Sequence, residues 1–312
     1  MLRDLRRADG PEFLALMERG FPEESALMGG RPEEFEKMFR RVFRWDARFL
    51  LALLSLFGRP IVRLLVVEQD AHVVAESLVT FPPGAAYVSS VVVDEAYRRR
   101  GYARQMLEEA VKTARRARRE FVVLDVLESN TPARALYDSL GYRPLEPRFH
   151  LVQDSMDRFS SPPPANSTIR ALRRSDVPRL VEILRQQTPP EVEKVLPTRK
   201  DRFVGSGVAN RMMATEEAAW VIDRGHGPEG HVAASVSRAM EAAHFASPTV
   251  AESVDDRLAL DLVTTAASWC ASRHAPRIIS MVSGHNSRGR AALEAIGFRH
   301  ALPLWTLYRT VD

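Results

Sequence analysis

The stretch EAYRRRGYARQMLEEA, Glu95 to Ala110, decides how the chain is read. Three arginines, a glycine and a helix-forming run suit a nucleic-acid patch, a solvated charged face or one wall of a phosphate site. Upstream, YVSSVVV reads as a strand, and downstream RQMLEEAVKTARRA reads as a helix. At such a turn Gly101 lets backbone approach a ligand closely, and the following helix aims free N–H groups and the positive end of its dipole at the same place. A pyrophosphate fits there. The later run KTARRARRE, Lys112 to Glu120, reads instead as surface, with long-range attraction of an anion as its best functional role.

Composition narrows the alternatives. A chain of 312 residues, 45% hydrophobic, has room for two cores of ordinary size. Lys plus Arg number 44 against 40 Asp plus Glu, a surplus of +4 that is small for a nucleic-acid binder, and the basic runs lack interleaved stacking aromatics. The single cysteine, Cys270, excludes an internal disulfide and Cys-rich zinc motifs, which suits a reducing cytoplasm. The eight histidines show no metal-ligand spacing, so no metal is expected. MLRDLRRADGPEF has no apolar run of the secretory kind, and FLLALLSLF, Phe49 to Phe57, is far shorter than the roughly 20 residues of a membrane span. The expectation is a cytoplasmic protein without nucleic-acid or membrane partners.

A repeat organises the chain. LRDLRRADGP at Leu2 to Pro11 returns as IRALRRSDVP at Ile169 to Pro178, and NTPARALYDSLGY at Asn130 to Tyr142 is echoed by NSRGRAALEAIGF at Asn286 to Phe298. Between the copies, DSMDRFSSPPPANST, Asp154 to Thr168, reads as a linker extended around Pro162 to Pro164. The expected division is 1–153, a linker 154–168, and 169–312. In the first copy a short strand precedes a helix with Asp9 as cap, Pro11 in its first turn and Glu12 closing a capping box. An apolar helix follows from Pro32 to Phe57. IVRLLVVE, HVVAESLVTF and AAYVSSVVVD read as consecutive strands, then come a helix from about Gly101 to Arg118, the strand EFVVLDVL, a helix from Pro132 to Leu140 and a short strand near RFHLV. The fold class is α/β, a mixed and mostly antiparallel sheet in each of two tandem domains, with helices on both faces.

Arg98-Arg99-Arg100-Gly101-Tyr102-Ala103 matches Q/R-x-x-G-x-G/A, and LDVLESNTPARALYDSLGY supplies Leu124, Val126, Asn130, Ala133, Tyr137 and Gly141-Tyr142 in register with a second motif. With these the chain resembles the GNAT superfamily of acyl-CoA-dependent N-acyltransferases over residues 60 to 145. The resemblance implies acetyl-CoA as co-substrate, its pyrophosphate on Arg98 to Arg104, its pantetheine arm along the fourth strand at Val91 and Val93, and Asn130 holding that arm or ordering the loop. The arginine side chains would face water or the outer phosphates. It also implies that an N–H at Val93 or a neighbour polarises the thioester carbonyl, and that Tyr137 protonates the departing thiolate; the other reading of Tyr137 is an aromatic packing its helix on the sheet. The general base is left open among Glu76, Glu128, Asp94 and a water chain. Glu76 is preferred because it interrupts an apolar strand, although an outward-facing surface carboxylate is as good a reading.

The second copy departs from the pattern. In HFASPTVAESVDDRLALDLVTTAASWC, Val254 and Asp256 fall at the small-residue positions, Ser253 reads as the helix cap, and Leu293 replaces the tyrosine. One acetyl-CoA-binding half beside a degenerate half is expected, as a monomer that is a pseudo-dimer of domains or as a homodimer. The acceptor is expected to be a primary amine of a small molecule or a protein; the alternative function is a non-catalytic acyl-CoA sensor. The apolar end of the Pro32 to Phe57 helix is expected to wall the acceptor groove, or else to pack on its own sheet.

Overall fold

The computed structural model describes residues 1–29, 62–82, 84–161, 166–203, 215–237 and 240–311. The expected apolar helix and the Pro162 to Pro164 part of the linker lie outside the described residues. The first copy runs β1 (Leu2–Asp4), α1 (Gly10–Gly20), α2 (Pro22–Met28), β2 (Val62–Gln69), β3 (His72–Thr80), β4 (Ala85–Val93), α3 (Tyr102–Arg116), β5 (Phe121–Leu127), α4 (Thr131–Ser139) and β6 (Arg143–Gln153). The second runs β7 (Ile169–Ala171), α5 (Val177–Gln187), α6 (Pro190–Val195), β8 (Thr215–Asp223), β9 (Pro228–Ser237), β10 (Ala242–Phe245), β11 (Thr249–Val250), α7 (Asp256–Ala271), β12 (Arg277–Ser283), α8 (Ser287–Ala295) and β13 (Arg299–Thr310). No helix among the described residues is long and apolar enough to cross a membrane.

Among the described residues the strands and helices expected from alternation and helical spacing are present, but the two sheets are one. All thirteen strands join in the order β1-β2-β3-β4-β5-β13-β6-β12-β10-β9-β8-β7, with β11 paired to β9. The centre is an exchange: β13 of the second copy pairs with β5 of the first from Leu304↔Leu127 to Thr310↔Phe121, while β6 of the first pairs with β12 of the second from Ile278↔Gln153 to Ser283↔Arg148. β6 and β13 pair with each other between them. What reads in sequence as a short strand near RFHLV is therefore eleven residues long, because β6 has partners on both sides.

Helices of both copies cover the sheet in register. On one face α3 and α4 bury Leu107, Ala110, Val111, Tyr137 and Leu140 against Leu65, Val88 and Leu124, and α7 and α8 do the same in the second copy with Leu262, Val263 and Leu293. On the other face α1 sets Phe13 and Leu16 on Val66 and Val92, and α5 sets Leu180 and Leu184 on Val221. The short α6 crosses the boundary, packing Val195 with Ala85, Phe121 and Val123 of the first copy.

The repeated LRDLRRAD/IRALRRSD motif has one physical purpose. Arg3 grips both oxygens of Asp9 at 2.6 and 2.9 Å, and Arg170 grips Asp176 at 2.7 and 2.9 Å, each aspartate also accepting a backbone N–H three residues back. These bidentate pairs close the turn from the first strand into the first helix of each copy. The expected capping of α1 is corrected by the same contacts: the Asp9 carboxylate does not cap the helix, and Glu12 accepts from the Val73 N–H and contacts His72 Nδ1 on β3.

Because each half lends its last strand to the other, the halves should melt together. Calorimetry of the full chain is expected to show one cooperative transition, and removal of residues 303–312 should lower its midpoint and collapse both halves; two separate transitions in the intact chain would contradict the exchange.

Candidate active site

β4 and β5 run parallel for four residue pairs only, Ala85↔Phe121 to Val88↔Leu124. Beyond that β4 continues with β3 and β5 with β13, each on its far edge, so a gap opens between them. A register shift at the same point leaves Ser89 as an extra residue, between the pairs Val79↔Val88 and Leu78↔Ser90, and such bulges bend and re-aim a strand. The Asp94 N–H donates to Val74 O on β3 at 2.9 Å. Backbone groups alternate sides along a strand, so Val91 and Val93 turn theirs away from β3 and into the gap. The Arg98 Nε donates to Val93 O at 3.3 Å, from the same side.

At the wide end of the gap lies the turn of the opening stretch. Asp94 accepts from the Ala96 N–H and closes a short helical turn over Glu95–Tyr97. Arg99 at φ +65° and Gly101 at φ +83° reverse the chain into α3, which begins without a side-chain cap. The N–H groups of its first turn are left for another acceptor. A Cβ built on Gly101 would meet nothing within 4 Å, so the backbone there faces open space of the kind an anion needs. The exposed arginines partly brace the turn: Arg100 stacks 4.9 Å from the Tyr97 ring and donates to Ala96 O, and Arg104 donates to Ser139 Oγ at 2.8 Å. Tyr102 packs its ring with Val74 and Met106 beneath the turn. Lys112, Arg115, Arg116 and Arg118 are exposed, as a surface run requires.

Tyr137 is buried, 7% exposed, with its ring 5.8 Å from that of Tyr142 and packed among Leu124 and Val126. Its hydroxyl makes no hydrogen bond among the described residues. Burial pushes its pKa up to about 12, which keeps the phenol protonated and able to donate. Asn130 caps α4, accepting from the Ala133 N–H at 3.2 Å.

The three carboxylates separate cleanly. Glu128 is exposed, and Asp94 is occupied by its turn and by Arg19 at 3.3 Å. Glu76 is not a surface carboxylate: it is wholly buried, beside Val92 of β4, and burial raises its pKa from 4.5 to about 7. Ser90 Oγ donates to its Oε2 at 3.0 Å, and Oε1 has no hydrogen-bond partner among the described residues. Ser90 escaped notice in the sequence, hidden beside Ser89 in an otherwise apolar strand. Asp125 also escaped, although it is the one charge in FVVLDVL. Among the described residues no group of His, Cys, Asp or Glu is placed to hold a metal ion.

The second copy has the same gap, closed. β10 and β12 pair in parallel for four residues, Ala242↔Arg277 to Phe245↔Ser280. The Ala251 N–H donates to Glu229 O as Asp94 does to Val74, which makes Pro248 and Val250 the counterparts of Val91 and Val93. Proline has no N–H to offer. The Pro248 carbonyl is taken by Asn286 Nδ2 at 2.7 Å and the Val250 carbonyl by Gln187 Nε2 at 2.7 Å. A Cβ on Gly289 would lie 2.6 Å from the Pro248 oxygen, so only glycine lets α8 seat this closely on the strand. The helix start is stopped as well, by Asp255, whose carboxylate accepts from the Leu258 N–H at 2.8 Å. This corrects the expected cap: Ser253 donates instead to Glu229, at 2.7 Å, and the cap stands one residue beyond Val254. Gly101, the first residue before α3, lies seven positions after Asp94 but Asp255 only four after Ala251, so the three-arginine run has no counterpart.

Replacing Gly101 with valine forces a β-branched residue into left-handed backbone, at a cost of roughly 1–2 kcal/mol, and fills the open space. Titration calorimetry should show acetyl-CoA affinity falling about tenfold or more with the fold intact, whereas Asp255→Gly in the second copy should add no second binding event, because Asn286 and Gln187 still occupy the strand edge.

Residues 23–142 match the sequence model of the Acetyltransferase (GNAT) family. No curated protein matches the chain in sequence. Among solved structures, a tandem GNAT protein from the clavulanic acid biosynthesis pathway is 17% identical with a TM-score of 0.65, covering 100% of this chain and 98% of that one. A GCN5-related N-acetyltransferase from Sphaerobacter thermophilus is 16% identical with a TM-score of 0.68, covering 100% and 96%. At such identities the likeness concerns the fold, and it extends over both copies. Residues 23–142 thus carry the match to the GNAT acetyltransferase family model, and the chain as a whole shares the fold of a tandem GNAT protein.

Proposed function

We propose that the chain transfers an acetyl group directly from acetyl-CoA to a primary amine of a small molecule or protein, with Tyr137 as general acid and Glu76 as base. The observation that carries the reading is the contrast between the copies: one strand edge and helix start left open, the other stitched shut. The pyrophosphate would lie on Arg98, Arg99, Arg100, Gly101, Tyr102, Ala103 and Arg104, chiefly on backbone, and the pantetheine arm along Val91 and Val93. Asn130 orders the loop beside it by capping α4. The division into 1–153, linker 154–168 and 169–312 belongs to the same proposal. One chain supplies both partners of the strand exchange, which favours a monomer acting as a pseudo-dimer, and its only cysteine, Cys270, is buried and unpaired, which suits the cytoplasm.

The chemistry balances with these groups. The amine nitrogen attacks the thioester carbonyl carbon, forming the C–N bond, while an N–H of Val93 or a neighbour steadies the oxyanion. Collapse breaks the C–S bond, the electron pair stays on sulfur, and the Tyr137 hydroxyl gives it a proton. Glu76 takes the proton shed by nitrogen, and solvent returns one to Tyr137. Most of the rate comes from alignment.

Tyr137→Phe should lower kcat about a hundred- to ten-thousand-fold with acetyl-CoA affinity nearly unchanged; unchanged turnover, with chemistry rate-limiting, would remove Tyr137 from the mechanism. Acetyl-CoA binding without acetylation of any amine would favour the sensor instead.

Glu76 supplies a pH test. Protonated at pH 6 and ionised at pH 8, it should make kcat/KM rise through a pH of about 7, a step that Glu76→Gln abolishes. Stability runs the opposite way. The folded pKa lies above the ordinary 4.5, so the folded state holds the proton more tightly, and this contribution is full below pH 4.5 and lost as pH rises through about 7.

A further inference from the structure

The gap narrows from the Arg98 to Arg104 turn toward its apex at Val88↔Leu124, so a thioester anchored by its phosphates at the turn presents its acyl end near the apex. There, on the face away from α3, lies a polar network. Tyr87 donates its hydroxyl to Asp125 Oδ2, Thr306 donates to Asp125 Oδ1 at 2.6 Å, and Arg148 Nη1 reaches Asp125 Oδ2 at 3.2 Å and the Tyr87 oxygen at 3.5 Å. Asp125 is the first residue of β5 beyond the apex, and the Asp125 and Arg148 side chains are each only 19% exposed.

The molecule contains its own control. The matching register of the two parallel pairs makes His244 the counterpart of Tyr87 and Met281 that of Asp125; across the central strands, Leu304 pairs with Arg148 and His150 pairs with Met281 as Thr306 pairs with Asp125. The second apex closes the same fold without an ion pair. A buried pair gives little net stability over well-packed apolar residues, so closing the apex does not explain the first network. It stands only in the copy whose gap is open.

Within it the arginine is incompletely used. Arg3 and Arg170 each fork two nitrogens onto one aspartate. Arg148 gives Asp125 a single Nη1; its Nε is buried without a hydrogen-bond partner among the described residues, and Glu146 Oε1 stays 3.8 Å from it. The remaining Nε edge has the geometry that takes an oxyanion. Across the apex, Glu76 Oε1 is a buried acceptor without a donor.

We propose, building on the acetyl-transfer reading, that Arg148 determines acceptor specificity, selecting primary amines that also carry a carboxylate, and that Asp125 and Tyr87 are the residues that position it. Thr306 comes from β13, so the second copy contributes to the acceptor floor of the first.

The test compares ω-amino acids of increasing length with the alkylamines lacking the carboxylate, reading kcat/KM for acetylated product. The intact protein should favour the carboxylate-bearing member of a pair about tenfold or more, the value of a charge-assisted hydrogen bond. Arg148→Gln should bring the ratio near one with the KM for acetyl-CoA unchanged, and Arg148→Lys, which keeps the charge but loses the fork, should fall between. If Arg148→Gln fails to fold, the pairs in the intact protein and the Lys variant still decide. Equal use of both amines, or a preference that survives in either variant undiminished, overturns the assignment of Arg148 while acetyl transfer stands; no acetylation of any amine overturns both.

Discussion

Everything in this protein hangs on how backbone hydrogen bonds are satisfied at the centre of the sheet. β5 leaves β4 after Leu124 but stays paired on its other edge with β13, along its whole length from Phe121 to Leu127. Without β13, Asp125 to Leu127 would have no strand to pair with, and the divergence that exposes Val91 and Val93 would have nothing to hold it open. Function in the first copy depends on backbone supplied from the end of the second.

The two gaps are built alike and finished differently. In the second copy the hydrogen-bond capacity of the gap is consumed internally, by Asn286, Gln187 and the Asp255 cap. Each replaces something a ligand would offer: side-chain amides at the strand carbonyls, a carboxylate at the helix start. A buried polar group must find some partner, and in the second copy side chains supply it. In the first copy, among the described residues, only Arg98 Nε reaches a strand carbonyl of the gap, that of Val93, and α3 starts without a side-chain cap, which is tolerable because these groups border solvent or a substrate.

Much of this was legible in the sequence where local rules suffice. The turn at Gly101 was readable because only one residue type tolerates φ +83° there without strain, and the Arg3/Asp9 and Arg170/Asp176 repeat was readable as spacing. What those repeats do was not, since Asp9 read as a helix cap and proved to be the anchor of a guanidinium fork. The exchange of β6 and β13 left no local sign, because a strand's alternation does not name its neighbour. Glu76 could be suspected from its apolar surroundings, but its one donor, Ser90, comes from the neighbouring strand, whose register no sequence pattern fixes. The Arg148 network joins residues as far as 181 positions apart, beyond any window of sequence pattern.

That separation has a consequence for synthesis. Thr306 meets Asp125 only once the chain has grown by 181 positions, roughly 10 to 40 seconds at ordinary elongation rates. Throughout that interval the first half has emerged with β5 lacking its partner on one side, and an unpaired strand edge is a template for foreign chains. Slow closure over such a distance makes the nascent chain dependent on whatever shields that edge, and makes a strand of the second copy the one that completes the first.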